Sequence, residues 1–204
     1  MNALNIALLH WIAAGEDPGS WALLAGRTMA LWGGPASAAI LLWTGWKKPS
    51  ERAYLLVVIA GAAAASLLSH TLASALNFQR PFVQGLVPGY ITHDASGSLP
   101  STHATVMFFV AAAFLMRDEL RRAGWALVVL ASLTGWSRVY VGVHFPLDIA
   151  AGLVFGLCLA GALSAVRWMR PNRRGAHAER PARRIDREAA GLTPARRTGF
   201  PRRP

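Results

Sequence analysis

The sequence is poor in cysteine and in charged side chains. Its only cysteine, Cys158, lies in an apolar run, so an intramolecular disulfide and a zinc site made of thiolates are excluded. We expect Cys158 to fill a packed position. Only 15% of the 204 residues are charged, and no Lys or Arg precedes Arg27. An ordinary secretory signal peptide is therefore not expected at the start of the chain.

Apolar residues make up 53% of the chain and the mean hydropathy is +0.33, which indicates one membrane domain. The net charge of +11 is concentrated at one end, because residues 170–204 contain 11 arginines and only three acidic residues. That stretch shows no apolar periodicity. We predict a membrane domain over residues 1–169 and a disordered, Arg-rich cytoplasmic tail over residues 170–204. The tail is expected to touch anionic lipid headgroups, and no nucleic-acid partner is expected.

Five apolar segments predict an all-α fold, a polytopic membrane helical bundle with about five transmembrane helices. They cover approximately residues 21–43, 53–76, 102–116, 124–140 and 146–168. Residues 3–14 are too short to span, and they predict an N-terminal interfacial helix with Trp11 at the level of the lipid headgroups.

The distribution of Lys and Arg predicts the orientation of these segments. Basic residues follow the first, third and fifth segments, and cytoplasmic loops are enriched in Lys and Arg. Those after the first and third segments are Lys47, Lys48, Arg52, Arg117, Arg121 and Arg122. The loops at residues 77–101 and 138–145 should therefore lie on the outer side.

Three short motifs fall at the predicted outer ends of the apolar segments. They are Gln79-Arg80-Pro81-Phe82, Leu99-Pro100-Ser101-Thr102-His103, and the string that contains Ser137, Arg138, His144 and Asp148. Arginine, histidine and carboxylate side chains at a membrane edge are costly, and such placements usually mark a functional site. Because all three motifs reach the same side of the membrane, we expect one shared site.

The second motif suits the binding of an anion. Ser101 and Thr102 offer N-cap hydroxyls to the following helix, and capping alone would explain them. The start of a helix also presents free N–H groups and a partial positive charge, which favour a phosphoryl oxygen. His103, in that first turn, is either structural or a group that protonates a leaving oxygen.

The third motif suits an activated nucleophile. Pro146 favours a helix start, so Asp148 should reach back to Nδ1 of His144 and leave Nε2 free. Two alternatives remain: Asp148 interacts only with the helix dipole, or a metal is bound with His93, Asp94 and His103 as further ligands. His70 is expected to be a hydrogen-bonded packing residue or a pocket wall.

The three motifs resemble the type-2 phosphatidic acid phosphatase superfamily, whose pattern is Lys-x6-Arg-Pro, Pro-Ser-x-His and Ser-Arg-x5-His-x3-Asp. Within it, residues 80–83, 93–105 and 136–148 are most similar to the undecaprenyl pyrophosphate phosphatases of the bacitracin-resistance branch. The sequence departs from the pattern twice, because Ala73 stands where the family has lysine and Thr102 where Gly or Asp is usual.

The resemblance implies a role for each motif residue. His144 would attack the terminal phosphorus, Asp148 would orient His144, and His103 would protonate the leaving group and then activate water. Phosphate oxygens would be held by the residues Arg80, Ser101, Thr102 and Arg138. His93, in the loop before the second motif, is a possible headgroup contact. The resemblance implies no cofactor and no metal.

The implied function is hydrolysis of undecaprenyl pyrophosphate to undecaprenyl phosphate at the periplasmic face of the bacterial inner membrane, through a phosphohistidine. The substrate would be a lipid phosphate that stays within the bilayer. Three alternatives stay open: a phosphatase for phosphatidate or phosphatidylglycerol phosphate, a lipid A phosphotransferase, and an inactive lipid-binding scaffold.

Overall fold

The computed structural model describes residues 3–169, and this part of the chain folds into six α-helices without a strand. They are α1 (Ala3–Ile12), α2 (Ser20–Lys47), α3 (Arg52–Leu76), α4 (Thr102–Leu115), α5 (Arg121–Tyr140) and α6 (Pro146–Met169). The predicted all-helical fold is thus confirmed. Two segments, Pro49–Leu76 and Pro146–Val166, are long and apolar enough to cross a membrane. The tail predicted over residues 170–204 lies outside the described residues.

Glycine allows the helices to approach closely in two places. Gly33 lies against the side chain of Thr134, so α2 meets α5 with no room for a Cβ atom. On α6, a Cβ atom at Gly152 would be 2.7 Å from Cβ of Ala104, and one at Gly156 would meet the carbonyl of Thr105. Small residues at such contacts are typical of helix packing in membranes. The start of α6 is thereby pressed against the start of α4.

Buried apolar residues form the centre of the bundle. Phe109, Phe114, Leu127 and Val58 are fully buried and join α3, α4 and α5. The outward faces carry exposed leucine, valine and tryptophan, as expected where lipid replaces water. One expectation is wrong: Cys158 is exposed and fills no packed position. Leu157 and Cys158 are exposed whereas Gly156 and Ala160 are buried, so hydrophobicity alone did not indicate which residues of this run are packed.

Helix α1 supports the loop that joins α5 to α6. Oδ1 of Asn5 accepts a hydrogen bond from the N–H of Leu147 at 3.1 Å, and this N–H belongs to the first turn of α6. Leu9 is fully buried in a cluster with Val139 and Phe145. An interfacial helix was predicted here from the sequence, but its contacts with the rest of the protein were not.

An ion-pair clamp, formed by Glu51 and Arg117, joins the α2–α3 and α4–α5 connections. Nε and one terminal nitrogen of Arg117 donate to Oε2 of Glu51 at 3.0 and 2.7 Å, and the guanidinium lies over the ring of Tyr54. Glu51 is buried. The clamp lies at the opposite end of α3 and α4 from the three motifs, so basic connections and motifs occupy different ends of the bundle.

Replacement of Arg117 by methionine should destabilise the protein, because Glu51 would keep a buried charge without its partner. The expected loss in free energy of unfolding is about 2 kcal/mol, between the values for exposed and fully buried pairs. Unfolding in detergent micelles would measure it. Arg121→Met is the matched control, since Arg121 pairs with an exposed Asp118 and should change the stability little. Equal effects of the two variants would contradict a role for the clamp.

Candidate active site

The first and third motifs meet at one end of the bundle. A terminal nitrogen of Arg80, called Nη1 here, lies 3.1 Å from Nε2 of His144, although the two residues are 64 positions apart. Nδ1 of His144 lies 3.2 Å from Oδ2 of Asp148. In the second motif, the N–H of Ser101 donates to the carbonyl of Asp148 at 3.0 Å. Residues of all three motifs therefore lie together at this end of the bundle.

The loop between α5 and α6 fixes the position of His144. Gly142 adopts a φ of +79°, and a Cβ atom there would collide with the carbonyl of Pro88, so only glycine fits. The N–H of His144 donates to the carbonyl of Arg138 at 3.3 Å. Pro146 then starts α6, as its ring favours. The imidazole is therefore held between two helix ends.

The hydrogen bonds of His144 define which ring nitrogen carries the proton. A guanidinium has N–H donors and no acceptor, so Nε2 must use its lone pair toward Arg80. The proton of the neutral ring is then on Nδ1, where it donates to Oδ2 of Asp148. This is the tautomer that a nucleophilic Nε2 requires, with the carboxylate as the orienting group.

The surroundings also favour the neutral ring. His144 is buried, and burial together with the positive charges of Arg138 and Arg80 holds the pKa of His144 well below its ordinary value. The contact with Asp148 is therefore a hydrogen bond from a neutral imidazole to a carboxylate. At neutral pH Nε2 is therefore unprotonated, and its lone pair accepts the hydrogen bond from Arg80.

Arg80 is almost fully engaged by the protein. Nε donates to the carbonyl of Ser96 at 3.0 Å, and Nη1 donates to the carbonyl of Val143 at 3.0 Å and to His144. The other terminal nitrogen, Nη2, contacts the carbonyl of Gly97 at 3.1 Å and the hydroxyl of Ser96 at 3.4 Å. Since a guanidinium has five N–H donors, an anion can gain one only by replacing a present partner.

Arg138 presents the opposite case. One terminal nitrogen donates to the carbonyl of Ala30 at 3.3 Å, whereas Nε and the other terminal nitrogen are buried and have no hydrogen-bond partner. The side chain is only 2% exposed. Buried donors without partners are costly and rare in native proteins. Donors of this kind are suited to binding an anionic oxygen.

The second motif forms the N-terminus of α4. Ser101 is its N-cap, and the Ser101 hydroxyl accepts from the N–H of Ala104 at 3.5 Å, a weak cap. Thr102 and His103 follow in the first turn and are partly buried. Oγ1 of Thr102 accepts from the hydroxyl of Ser69 at 3.3 Å. Because the N–H of Ser101 also contacts the carbonyl of Asp148, the start of α4 lies beside the histidine–aspartate pair.

The other histidines differ in their relation to the site. His93 is partly buried, and its ring faces the edge of the His144 ring with centroids 6.2 Å apart. Burial and then the charge of Arg80 lower the pKa of His93. His70 is exposed, its Nδ1 lies 3.4 Å from the hydroxyl of Ser74, and it does not line the cavity that reaches His103.

The alternative of a metal site has no geometric support in residues 3–169. No group of three or more His, Cys, Asp or Glu side chains in that range is arranged to hold a metal ion. His93, Asp94 and His103, named as possible ligands from the sequence, do not form such a group.

Sequence reasoning missed the segment 96–98, which contacts both Arg80 and Asp148. The carbonyls of Ser96 and Gly97 accept from Arg80, and the hydroxyl of Ser98 donates to Oδ2 of Asp148 at 2.9 Å. The one available signal was a Ser-Gly-Ser run directly before the second motif. Its target, 50 residues further along the chain, was not readable from the sequence.

An apolar cavity of about 470 Å³ adjoins the site between α2, α3 and α4. Thr102 and His103 line it at the site end, and small or aliphatic residues line the remainder. A shallower groove shares Leu41, Leu42 and Ile59 with the cavity and extends to Trp46 near the end of α2. The cavity thus begins at the second motif and shares part of its lining with an apolar groove, an arrangement that suits a hydrocarbon chain.

Comparisons with known proteins agree with this description. One relative is the putative undecaprenyl-diphosphatase YbjG of Escherichia coli K12. It is 35% identical to this chain over 164 residues, which are 79% of this chain and 81% of that protein. Undecaprenyl-diphosphatase BcrC of Bacillus subtilis 168 is 37% identical over 127 residues, or 61% of this chain and 64% of its own length.

A solved structure shows the same fold. The crystal structure of a transmembrane PAP2-type phosphatidylglycerolphosphate phosphatase from Bacillus subtilis has a TM-score of 0.63 at 21% identity, over 84% of this chain and 90% of that one. This likeness concerns the fold, which in both proteins is an all-helical bundle. The sequence pattern of the PAP2 superfamily matches residues 53–172, and the chain belongs to this superfamily of metal-independent phosphatases. The resemblance seen in the three motifs is confirmed.

Proposed function

We propose that this protein hydrolyses undecaprenyl pyrophosphate to undecaprenyl phosphate and inorganic phosphate through a phosphohistidine at His144. The observation that carries the proposal is the pairing of an oriented, neutral His144 with the unpartnered donors of Arg138. The likeness to two undecaprenyl-diphosphatases supports the choice of substrate. The roles of the individual residues below are part of the proposal.

In the first step, Nε2 of His144 attacks the terminal phosphorus. A nitrogen–phosphorus bond forms while the bond from phosphorus to the bridging oxygen breaks. His103, as the imidazolium, gives a proton to that oxygen, and undecaprenyl phosphate leaves. Asp148 keeps the Nδ1 proton in place and stabilises the positive charge that the ring gains during the attack.

In the second step, water attacks the phosphohistidine. His103, now neutral, takes a proton from the water as the oxygen–phosphorus bond forms. The nitrogen–phosphorus bond breaks, and phosphate leaves with His144 again neutral. The proton that His103 gave to the leaving group in the first step is replaced by one from water in the second, so the enzyme is restored.

Phosphoryl transfer depends mainly on positioning and on charge stabilisation of the equatorial oxygens. We assign this to Nε and the free terminal nitrogen of Arg138, to the hydroxyl of Ser101, and to the N–H groups at Thr102 and His103. Arg80 would exchange its bond to Nε2 of His144 for one to a phosphoryl oxygen. Substrate binding would thereby free the nucleophilic lone pair at the moment it is needed.

The apolar cavity supports a lipid substrate. It begins at Thr102 and His103, and the adjoining groove continues to Trp46, about 18 Å further along α2 at 1.5 Å per residue from Gly34. A long hydrocarbon chain fits such a channel while its pyrophosphate reaches His144. His93, beside His144, would contact the second phosphate group.

The membrane arrangement is proposed from the position of the basic connections relative to the site. We assign the membrane-crossing segments to α2 through α6, with the site on the periplasmic side of the inner membrane and α1 at the surface. The basic connections beside the Glu51–Arg117 clamp lie at the end away from the site, which supports a cytoplasmic location for that end. The membrane domain is assigned to residues 1–169 and the cytoplasmic tail to residues 170–204.

Phosphate release from a panel of purified lipids tests the function. The panel contains undecaprenyl pyrophosphate, undecaprenyl phosphate, phosphatidate and phosphatidylglycerol phosphate, each in detergent with EDTA. We expect undecaprenyl pyrophosphate to have the highest kcat/KM and EDTA to have no effect. Lipid A is added as an acceptor in a parallel reaction, which should remain unphosphorylated.

Other results would favour the alternatives. Faster hydrolysis of a glycerolipid would replace the substrate, and labelled lipid A would indicate phosphotransfer. No release from any lipid would favour a scaffold, and loss of activity with EDTA would indicate a metal.

A further inference from the structure

Asp148 receives three hydrogen bonds on one oxygen. Oδ2 accepts from Nδ1 of His144 at 3.2 Å, from the N–H of Phe145 at 2.8 Å, and from the hydroxyl of Ser98 at 2.9 Å. The first two donors lie in the same turn as Asp148, whereas Ser98 comes from the loop before α4. Ser98 is therefore the long-range contact that fixes the carboxylate.

Ser98 has little freedom to do anything else. Ser98 is fully buried, and its backbone N–H donates to the carbonyl of Phe78 at 2.9 Å. The preceding Gly97 lies directly on the carbonyl of Ala73, where any side chain would collide with the α3 backbone. The backbone carbonyl of Ser98 also interacts with the imidazole of His144. The hydroxyl is thus aimed at Asp148 by contacts on both sides.

We propose that Ser98 is a positioning residue that sets the proton affinity and aim of the His144–Asp148 pair. The proposal rests on the function proposed above and concerns how its nucleophile is tuned. A hydroxyl donated to Oδ2 spreads the negative charge of the carboxylate and fixes its rotation. The Nδ1 proton then stays on His144, and Nε2 points at the phosphoryl site.

The same segment also holds Arg80 through the carbonyls of Ser96 and Gly97. One stretch of three residues therefore braces a phosphate-binding arginine and the orienting carboxylate together. If this segment shifts, the phosphorus and the nucleophile lose their alignment at the same time, and small errors in alignment are costly in catalysis.

Removal of the hydroxyl in Ser98→Ala should lower kcat by at least about tenfold, the scale of one hydrogen bond to a charged group, with little change in KM. The acid limb of the kcat/KM profile should move to higher pH. Without the hydroxyl, more negative charge faces the ring, so protonated His144 is favoured and its pKa rises. The other charged or titratable groups that face the ring are unchanged by this substitution: Arg80, His93, His103 and Arg138.

A double substitution separates positioning from general support. Asp148→Asn removes the carboxylate through which Ser98 is proposed to act, so adding Ser98→Ala to it should cause almost no further loss in kcat. Thr44→Val is the control for loss of a buried hydroxyl, because Thr44 donates only to Ile40 within α2. That variant should keep the wild-type pH profile. Additive losses at Ser98 and Asp148 would overturn the proposal.

A measurement that needs no turnover keeps the inference separate from the proposed function. The imidazole ¹⁵N resonances of His144, assigned with His144→Gln, report its tautomer and its pKa in the detergent-solubilised protein. In Ser98→Ala the pKa of His144 should rise and the preference for the Nδ1–H tautomer should weaken. If the His144 resonances of Ser98→Ala equal those of the wild type, the inference is overturned even though the enzyme is active. If the expected shifts are seen but the wild type is inactive on every lipid, only the proposed function is refuted. Ser98→Cys keeps a side chain of similar size that donates only weakly, so the pKa of His144 in this variant should lie between those in the wild type and in Ser98→Ala. It replaces the alanine variant in the test if that variant does not fold.

Discussion

The His144→Ala enzyme is expected to release no measurable phosphate from undecaprenyl pyrophosphate, a loss of about 10,000-fold or more, as for other covalent nucleophiles. The reason is that Nε2 of His144 is the atom proposed to form the bond to phosphorus. No other described nitrogen has both a carboxylate partner and a place beside Arg80 and Arg138. Steady-state phosphate release with the purified variant would measure the loss.

His70→Ala provides the matched control for removal of a histidine. His70 is exposed on α3 and contacts only Ser74, so its loss should leave activity nearly unchanged. His70→Ala should elute and unfold like the wild type, whereas His144→Ala removes a buried ring that contacts Arg80 and Asp148. Its elution profile in detergent is therefore compared with that of the wild type before activity is measured. Residual activity of His144→Ala within tenfold of the wild type would contradict the assigned nucleophile.

Arg138→Gln should lower kcat/KM by about 100- to 1000-fold, the effect of losing a preorganised donor to developing negative charge. The variant removes the charge and the fork of donors that the protein leaves without partners. Arg138→Lys should recover only part of this loss. An ammonium keeps the charge but cannot reach both the carbonyl of Ala30 and two phosphoryl oxygens.

Stability measurements refine the Arg138 prediction. Because Nε and one terminal nitrogen are buried without partners, Arg138→Gln should not destabilise the free protein as loss of a satisfied buried arginine would. Arg27→Gln, on the exposed face of α2, should be silent in both assays. A strongly destabilised but catalytically normal Arg138→Gln enzyme would indicate a structural arginine.

The helices could be predicted from the sequence because the length of each apolar segment and the turn-forming residues at its ends indicate where a helix lies. The predicted start at residue 102 agrees with α4, which Ser101 caps, and Pro146 begins α6 as expected. The contacts of α1 were not readable, since Asn5 reaches Leu147 across most of the chain. Exposure in a membrane protein also escapes hydropathy, and Cys158 illustrates this because lipid-facing and buried positions are equally apolar.

The residues of the candidate site could be chosen from the sequence, but most of the hydrogen bonds between them could not be predicted from it. A spacing of four residues was enough to predict the contact of His144 with Asp148. The same spacing does not predict the hydrogen bond from Arg80 to Nε2 of His144 or the one from Ser98 to Oδ2 of Asp148. Both depend on how the loop before α4 folds over α3. The different states of Arg80 and Arg138, one engaged and the other with free donors, likewise required the packed structure.

The most direct test of the account is to trap the phosphoenzyme with substrate labelled in the terminal phosphate. His103→Ala should favour trapping, because water is no longer activated and the nitrogen–phosphorus bond persists after rapid quenching in alkali. We expect acid-labile label on the peptide that contains His144, and none in the His144→Ala protein. Label on another residue, or rapid hydrolysis with no labelled protein at any time, would contradict attack by His144.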